Sequence, residues 1–227
     1  MKKIEEFRAS ALMGVTAALI ILGYELQGSS FALDGVSPIV VALAVFFLGA
    51  FAARFLVDSI LRLQFIRAII QGSHFAEGFW HLKTKADDSG SALSYDGVLQ
   101  ITYDARDRQT QVTTYRIDSD GSIFTTSSLI ASISEFGSRL RYLNFFYLNY
   151  PAGEGRYGLS AGDIYCSDSH SRLPDLLDSR INVTGEPIIR SQRAIKITDR
   201  EIKKYRAIAR KNNSRLWQIE FLQRHRN

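Results

Sequence analysis

Two long stretches without a charged residue constrain this chain more than any other feature of its sequence. Residues 9–24 and 36–53 form uncharged runs of sixteen and eighteen residues. As α-helices, with a rise of about 1.5 Å per residue, they would be roughly 24 and 27 Å long. A bilayer core is about 30 Å thick, so both runs are slightly short, a difference that snorkelling side chains or local thinning makes up. We therefore predict two transmembrane helices.

Two soluble alternatives are disfavoured. A cleaved signal peptide at 9–24 would need a small-residue cleavage pattern, and Glu25 and Gln27 follow instead. A buried helix at 36–53 would need a core that surrounds eighteen uncharged residues, and a protein of 227 residues rarely builds one.

The positions of basic residues predict how the two helices are oriented. The connector 27–37 contains no Lys or Arg, whereas both outer flanks are basic: Lys2, Lys3, Arg8, Arg54, Arg62 and Arg67. Because basic residues are retained on the cytoplasmic side, both termini are predicted to be cytoplasmic. Asp34-Gly35 suits a short external turn. The apolar spacing after Arg54 predicts that the second helix continues as an amphipathic stalk to Gln71.

Each apolar run also contains two small residues four positions apart. Gly14 precedes Ala18, and Gly49 precedes Ala53. Such pairs let helices approach closely in lipid. Contact between copies, packing within the hairpin and no role at all remain open for both pairs.

From residue 72 onward, short runs of Tyr, Thr, Phe and Ile alternate with Gly, Asp and Ser about every ten residues. This rhythm is typical of an all-β protein. We predict eight strands, at 77–85, 93–103, 111–118, 122–133, 140–150, 156–166, 180–184 and 193–197. Asp120-Gly121 predicts a tight hairpin, because both residues accept positive φ. Closure removes the exposed edges of such a sheet, so a small closed antiparallel barrel is predicted over 72–198.

The segment 140–150 differs from the other strands because it is apolar on both faces. Tyr142, Phe146 and Leu148 alternate with Leu143, Phe145 and Tyr147. We expect the second face to contact a helix, the membrane or a partner.

The tail carries most of the positive charge. Residues 190–227 contain 12 basic and 3 acidic residues, a net charge of +9, while the whole chain has +5. Thr198 and Glu201 form a capping-box pattern that predicts a basic amphipathic helix over 199–227. Binding to the anionic inner leaflet, docking on the barrel and a solvated tail all remain open for it. The predicted domains are therefore the hairpin and stalk at 1–71, the barrel and this helix.

No catalytic or metal-binding pattern is present in the sequence. The four histidines are not paired with one another or with Cys166 at metal-ligand spacing, and the single cysteine allows no internal disulfide. Asp168-Ser169-His170 contains the residue types of a triad, but neighbours in sequence rarely form one. No glycine-rich phosphate loop precedes a helix. We predict a protein that is not an enzyme and has no metal or cofactor.

The predicted barrel interior offers aromatic and polar side chains that suit a nucleotide. Aromatic rings stack on bases, and hydroxyls and amides read base edges. The candidate ligand-binding residues are Tyr95, Tyr103, Tyr115, Thr125, Tyr142, Asn144 and Tyr157, with Arg193 as a cation for phosphate. Core packing, with the hydroxyl at a barrel end, is the alternative for every tyrosine.

The order of these parts resembles a known family. Gly78-Phe79-Trp80 is similar to the Gly-x-Trp that begins lipocalin-like barrels. A membrane hairpin, a stalk, a minimal barrel and a basic tail together resemble the CD-NTase-associated membrane β-barrel effectors of bacterial cyclic-oligonucleotide antiphage signalling. The resemblance implies that a cyclic dinucleotide activates the protein in the bacterial inner membrane. It further implies homo-oligomers that disrupt the bilayer and kill the cell, without a DNA or RNA polymer as partner.

Two other functions fit the same sequence. Phe145, Phe146 and Leu148 would equally serve an acyl chain, as in a membrane-tethered lipid-binding barrel. A filled barrel without a ligand would instead be a scaffold protein that binds a partner through its outer face.

Overall fold

A computed structural model describes residues 2–28, 37–86, 95–104, 106–117, 123–149, 155–168, 173–185, 189–214 and 216–225. The chain divides into two compact units, residues 1–71 and residues 72–227. The basic tail lies within the second unit. The connector residues 29–36 and the predicted Asp120-Gly121 turn lie outside the described residues.

The first unit contains three helices, α1 (Lys2–Gly28), α2 (Pro38–Leu61) and α3 (Gln64–Gln71). Two segments, Lys3–Glu25 and Ile39–Leu61, are long and apolar enough to cross a membrane. Almost none of their side chains are buried, unlike those of a core helix in a soluble protein. At about 1.5 Å per residue, segments of 23 residues reach beyond ~30 Å. Both helices are therefore longer than the uncharged runs from which they were predicted, because residues at the ends of each run continue the helix.

Side-chain contacts join α1 to α2. The buried Arg8 guanidinium donates from Nε to Asp58 Oδ1 at 3.0 Å, and Nη2 contacts the same oxygen. Leu19 packs on Gly49, where a Cβ would come within 2.5 Å of Leu19 Cδ2. Gly49 therefore serves packing within the hairpin, whereas the Cβ position of Gly14 has no neighbour within 4 Å among the described residues.

The predicted continuous stalk is wrong in one respect. The helix stops at Leu61, and a new helix begins at Gln64. Arg67 Nη1 donates to Leu61 O at 2.7 Å, which satisfies a carbonyl that the break leaves without its helical partner.

The second unit is a closed barrel in which eight strands follow one another in sequence order. Each strand pairs antiparallel with the next, and β8 pairs with β1. The strands are β1 (Gly78–Ala86), β2 (Tyr95–Asp104), β3 (Gln109–Ile117), β4 (Ile123–Phe136), β5 (Arg139–Asn149), β6 (Gly155–Tyr165), β7 (Leu176–Val183) and β8 (Arg190–Lys196). The predicted fold class, two apolar helices followed by an eight-stranded barrel and a C-terminal helix, is confirmed.

One half of the barrel interior is a packed apolar core around Trp80. This residue is fully buried among Leu82, Leu99, Ile101 and Leu177. Its indole Nε1 donates to Ala76 O at 3.1 Å, so the ring blocks the end of the barrel at which β1 begins. Burial of such side chains contributes roughly 1.5–3 kcal/mol each to stability.

The C-terminal region docks on the outside of the barrel as two helices, α4 (Asp199–Lys211) and α5 (Trp217–His225). Thr198 and Glu201 form the predicted capping box. Docking on the barrel was one of three placements that the sequence left open for the tail, and it is the one that the structure shows. The apolar faces of both helices pack against Val98, Ile117 and Ile197. A single helix was expected, but the chain turns after α4, where Asn213 adopts a φ of 53°.

A lysine lies under the packed half of the barrel. Lys196 Nζ lies 5.3 Å from the centre of the Trp80 ring and 5.0 Å from that of Phe75, and it donates to Phe75 O at 3.2 Å. Burial lowers the pKa of Lys196 to about 8, against the opposing attraction of Glu77. Lys196 therefore binds its proton less tightly in the folded protein than in the unfolded chain.

This difference predicts that the barrel becomes more stable as the pH rises. Between about pH 8 and pH 9.5 the unfolded chain retains the proton of Lys196 while the folded state releases it, which adds about 1 to 2 kcal/mol to the free energy of unfolding. Urea unfolding monitored by fluorescence measures this, since both tryptophans, Trp80 and Trp217, lie in the second unit. The Lys196→Met variant is the control, because subtracting its free energy of unfolding cancels the effects of thiol and tyrosine ionisation. If the free energy of unfolding rose equally with pH in both proteins, the prediction would be contradicted.

Candidate functional site

A layer of buried polar side chains crosses the barrel interior above the apolar core. Gln192 Oε1 accepts from Ser160 Oγ at 3.1 Å and from Ser179 Oγ at 3.2 Å, and its Nε2 donates to Thr84 Oγ1 at 3.3 Å. All four side chains are buried. A hydrogen-bonded layer of this kind holds its members in one arrangement, because breaking any bond leaves a buried polar atom unsatisfied.

Tyr142 and Asn144 adjoin this layer. Burial raises the pKa of Tyr142 well above its ordinary value, although hydrogen bonds with Asn144 and Ser160 act in the other direction. The phenol is therefore neutral at physiological pH. Asn144 Oδ1 is buried without a hydrogen-bond partner among the described residues, so this atom is a free acceptor inside the barrel.

Beyond the polar layer the interior contains a cavity of about 50 Å³. Its walls near the strand ends include Arg116, Phe124, Leu148 and Arg190, and the Arg116 guanidinium lies 5.2 Å from the centre of the Phe124 ring. Sites for drug-sized ligands measure roughly 300–1,000 Å³, whereas a cavity of about 50 Å³ holds no more than a few waters. The described residues therefore enclose less space than the ligand-sized interior that was expected.

The structure separates the predicted ligand-binding residues. Tyr142 and Asn144 line the interior cavity. Tyr103 is buried near the β2–β3 turn, where it pairs with Thr110 and its backbone N–H donates to Glu77 Oε2 at 3.3 Å. The backbone of Tyr95 pairs with Thr84, and its side chain lies outside the described residues.

The interior position predicted for the other candidates is wrong. Tyr115 faces α5 on the outside and donates to Gln100 Oε1 at 3.3 Å, while Thr114 and Arg116 face inward. Thr125 and Tyr157 are exposed on the outer wall. Antiparallel pairing sets Thr114 opposite Leu99, which fixes the inward side of β3, and a bulge between Ser128 and Ile130 shifts β4.

Arg193, the predicted phosphate-binding cation, also lies on the outer wall, where it lines a groove of about 620 Å³. This groove runs over β6, β7, β8 and β1 and has a floor of small side chains such as Ala161 and Ser191. Its walls carry four exposed cations, Lys83, Lys85, Arg180 and Arg193. Lys83 lies opposite Arg193 in the register of β1 and β8, so the cations lie close together.

The charge of the groove is strongly positive at neutral pH. Asp178 is its carboxylate; it lies 3.8 Å from Arg193 Nε and also accepts from the Tyr165 hydroxyl. Within the described part of the chain, no ion pair joins Lys83, Lys85 or Arg180 to a carboxylate. Burial lowers the pKa of His81, against the attraction of Asp96, so this imidazole adds no charge at pH 7.

Sequence reasoning missed Lys83, Lys85 and Arg180. The alternation of His81, Lys83 and Lys85 on one face of β1 is visible in the sequence. Their proximity to Arg180 and Arg193 depends on pairing between the first and last strands, which no local pattern reveals.

The described residues contain no group of three or more His, Cys, Asp or Glu side chains placed to hold a metal ion. Ser169 and His170, of the triad-like tripeptide, lie outside the described residues.

Comparisons with known proteins find a structural likeness but no family. No protein-family model matches the chain, and no curated protein matches it. A de novo designed fluorescence-activating β-barrel has 15% sequence identity to this chain and a TM-score of 0.34; the match covers 55% of this chain and 96% of the designed one.

The polar layer predicts a specific loss of stability. Gln192→Leu should lower the free energy of unfolding by about 1–3 kcal/mol, because Thr84, Ser160 and Ser179 lose a shared partner inside the barrel. Urea unfolding followed by tryptophan fluorescence measures the loss. Gln109→Leu at an exposed position is the matched control and should change stability by less than about 0.5 kcal/mol. Equal effects of the two substitutions would show that the layer contributes nothing specific.

Proposed function

We propose that this protein is a membrane-anchored receptor for a cyclic dinucleotide, which binds in the cationic groove on the outer wall of the barrel. The observation that carries the proposal is the combination of size and charge in one place. The groove has about 620 Å³ and four exposed cations, whereas the interior cavity has about 50 Å³. A cyclic dinucleotide is a compact dianion, because each of its two phosphodiesters carries one negative charge.

The side chains of the groove suit the parts of such a ligand. Arg180 and Arg193 offer planar guanidinium groups that bind phosphate through paired hydrogen bonds and also stack on bases. Lys83 and Lys85, on the neighbouring strand β1, add point charges. Ile195 is 55% exposed at the edge of the groove and offers an apolar surface to a base.

An exposed apolar surface beside the groove supports the proposal that the receptor forms oligomers. Leu143 lies opposite Ala161, which also lines the groove, and Phe145 lies opposite Leu159. Tyr157 stacks on Phe145 with ring centres 5.6 Å apart and is 48% exposed. Exposed apolar and aromatic surfaces of this kind are typical of protein–protein contacts.

The same arrangement gives a physical reason for oligomers to form only with ligand. Two copies that meet through this surface bring two cationic grooves together, and like charges across an interface disfavour association. A bound dianion offsets that repulsion and leaves the apolar contact to dominate. Oligomers would then gather the apolar helices α1 and α2 and disrupt the bacterial inner membrane, an outcome that suits abortive antiphage defence.

Each of the two alternative functions differs from the proposed receptor in one property. A lipid-binding barrel would need interior space for an acyl chain, and the interior cavity of about 50 Å³ is too small for one. A scaffold protein would need no ligand at all, so ligand binding distinguishes it from the receptor.

The receptor proposal predicts binding that depends on the groove. Calorimetry of the full chain in detergent, with a panel of cyclic dinucleotides, should detect at least one ligand. Lys83→Ala and Arg193→Ala should each weaken it about tenfold to a hundredfold, because a charge-assisted hydrogen bond contributes roughly 1.5–3 kcal/mol. Arg106→Ala, a matched loss of charge at an exposed turn, should have no effect.

Two results would contradict this prediction. Absence of binding across the panel would favour a scaffold protein. Binding that is lost in Arg116→Ala and retained in the groove variants would instead place the ligand at the interior cavity.

The oligomer proposal predicts that ligand increases the mass of the detergent-solubilised protein in sedimentation experiments. Tyr157→Asp should abolish the increase and the toxicity of the expressed protein while leaving ligand binding intact, since it places a charge in the apolar surface. Phe136→Asp is the matched control, because Phe136 is exposed on a different hairpin. An equal mass with and without ligand in the unmodified protein would refute ligand-driven assembly.

A further inference from the structure

One face of helix α4 carries a dense row of exposed cations. Its apolar face, with Ile202, Tyr205 and Ala209, is buried against the barrel and α5. The remaining surface exposes six basic side chains, Arg200, Lys203, Lys204, Arg206, Arg210 and Lys211. Of the helix carboxylates, Asp199 is exposed, whereas Glu201 is engaged in the cap with Thr198.

Folding does not account for this row of charges. Arg200 with Lys204 and Arg206 with Arg210 are like-charged pairs at i,i+4, which destabilise a helix. None of the six forms an ion pair with a carboxylate within the described residues. Lys204 Nζ lies 5.5 Å from the centre of the Tyr205 ring. Arg210 and Lys211 lie in the last turn, where positive charge favours the helix dipole, but the like-charged pairs reduce this gain. Helix stability alone therefore does not explain six exposed cations.

We propose that this face of α4 binds the anionic surface of a phospholipid bilayer, an inference that rests on the membrane anchor of the proposed function. The apolar side of the helix is occupied, so the contact is electrostatic and needs no insertion into lipid. Each Lys or Arg near an anionic leaflet contributes about 1 kcal/mol, or roughly a fivefold change in binding constant. Anchoring in the same bilayer raises the local concentration of lipid headgroups around the helix.

A bilayer fits these cations better than a compact ligand does. The six side chains lie along a convex helix of 13 residues, about 20 Å long, so a small anion reaches two or three of them. An extended surface of negative charge reaches most of them at once.

The test uses the full chain reconstituted in liposomes. Cys166→Ser removes the one native cysteine, and Ala207→Cys places a fluorescent label among the exposed cations. Lipids with a nitroxide on the headgroup quench a label that lies at the membrane surface. Quenching should be strong in bilayers that contain phosphatidylglycerol, weak in phosphatidylcholine alone, and reversed by high salt because screening removes the attraction.

Charge neutralisation provides the matched comparison. Lys203→Gln, Lys204→Gln and Arg210→Gln together should weaken the surface contact about a hundredfold and remove the quenching. The control is a triple variant that lowers the net charge equally at exposed positions on the barrel, with Arg106→Gln, Arg139→Gln and Arg141→Gln. This variant should leave the quenching unchanged.

Equal quenching in both bilayers, or none in either, overturns the proposal. A label that responds to added RNA or DNA and not to phosphatidylglycerol also overturns it, in favour of a polynucleotide partner. Extraction of the chain from liposomes by alkaline carbonate is a separate readout, which would refute the membrane anchor and this proposal with it.

Discussion

The pairing of β1 with β8 is the constraint on which the second unit depends. It closes the sheet and leaves no unpaired strand edge, so the barrel does not present a template for aggregation. The same pairing sets Lys83 opposite Arg193, while β7 brings Arg180 to the same side. Like charges directly across a sheet are destabilising. The other neighbours of these two cations are acidic, because Asp96 lies opposite Lys83 and Asp178 lies opposite Arg193, so the repulsion is partly offset.

Closure with eight strands also explains why side chains fill most of the barrel interior. A barrel of this size encloses a space that side chains nearly fill. Trp80 and its neighbours occupy one half, and the layer around Gln192 crosses the middle. The remaining cavity of about 50 Å³ is too small for a nucleotide or an acyl chain. The interior thus provides stability, and the outer wall has the volume that a larger ligand requires.

The elements of this fold follow from local signals, but its sites do not. Turn residues and alternation are enough to locate eight strands, and the capping box of Thr198 and Glu201 locates the start of α4. The side on which a residue lies depends on register, so Tyr115 was expected inside and lies outside. The bulge near Ser128 changes which residues of β4 face inward, and the sequence of β4 does not predict this bulge. The groove needs both register and closure, because its cations come from three different strands.

The two basic surfaces of this protein differ in shape, since one is a groove and the other is a convex helix. In the groove, Lys83 and Arg193 face a shared space of about 620 Å³, so their fields add at one point and favour a compact anion. On α4, the side chains of Lys203 and Arg210 diverge from a convex helix, and their fields add only over an extended surface. Docking of Trp217 and Phe221 on the barrel is what holds α4 in that position, because it buries the apolar face that would otherwise enter lipid. Under the two proposals, a compact anion and a bilayer would therefore contact different cations and would not compete for the same surface.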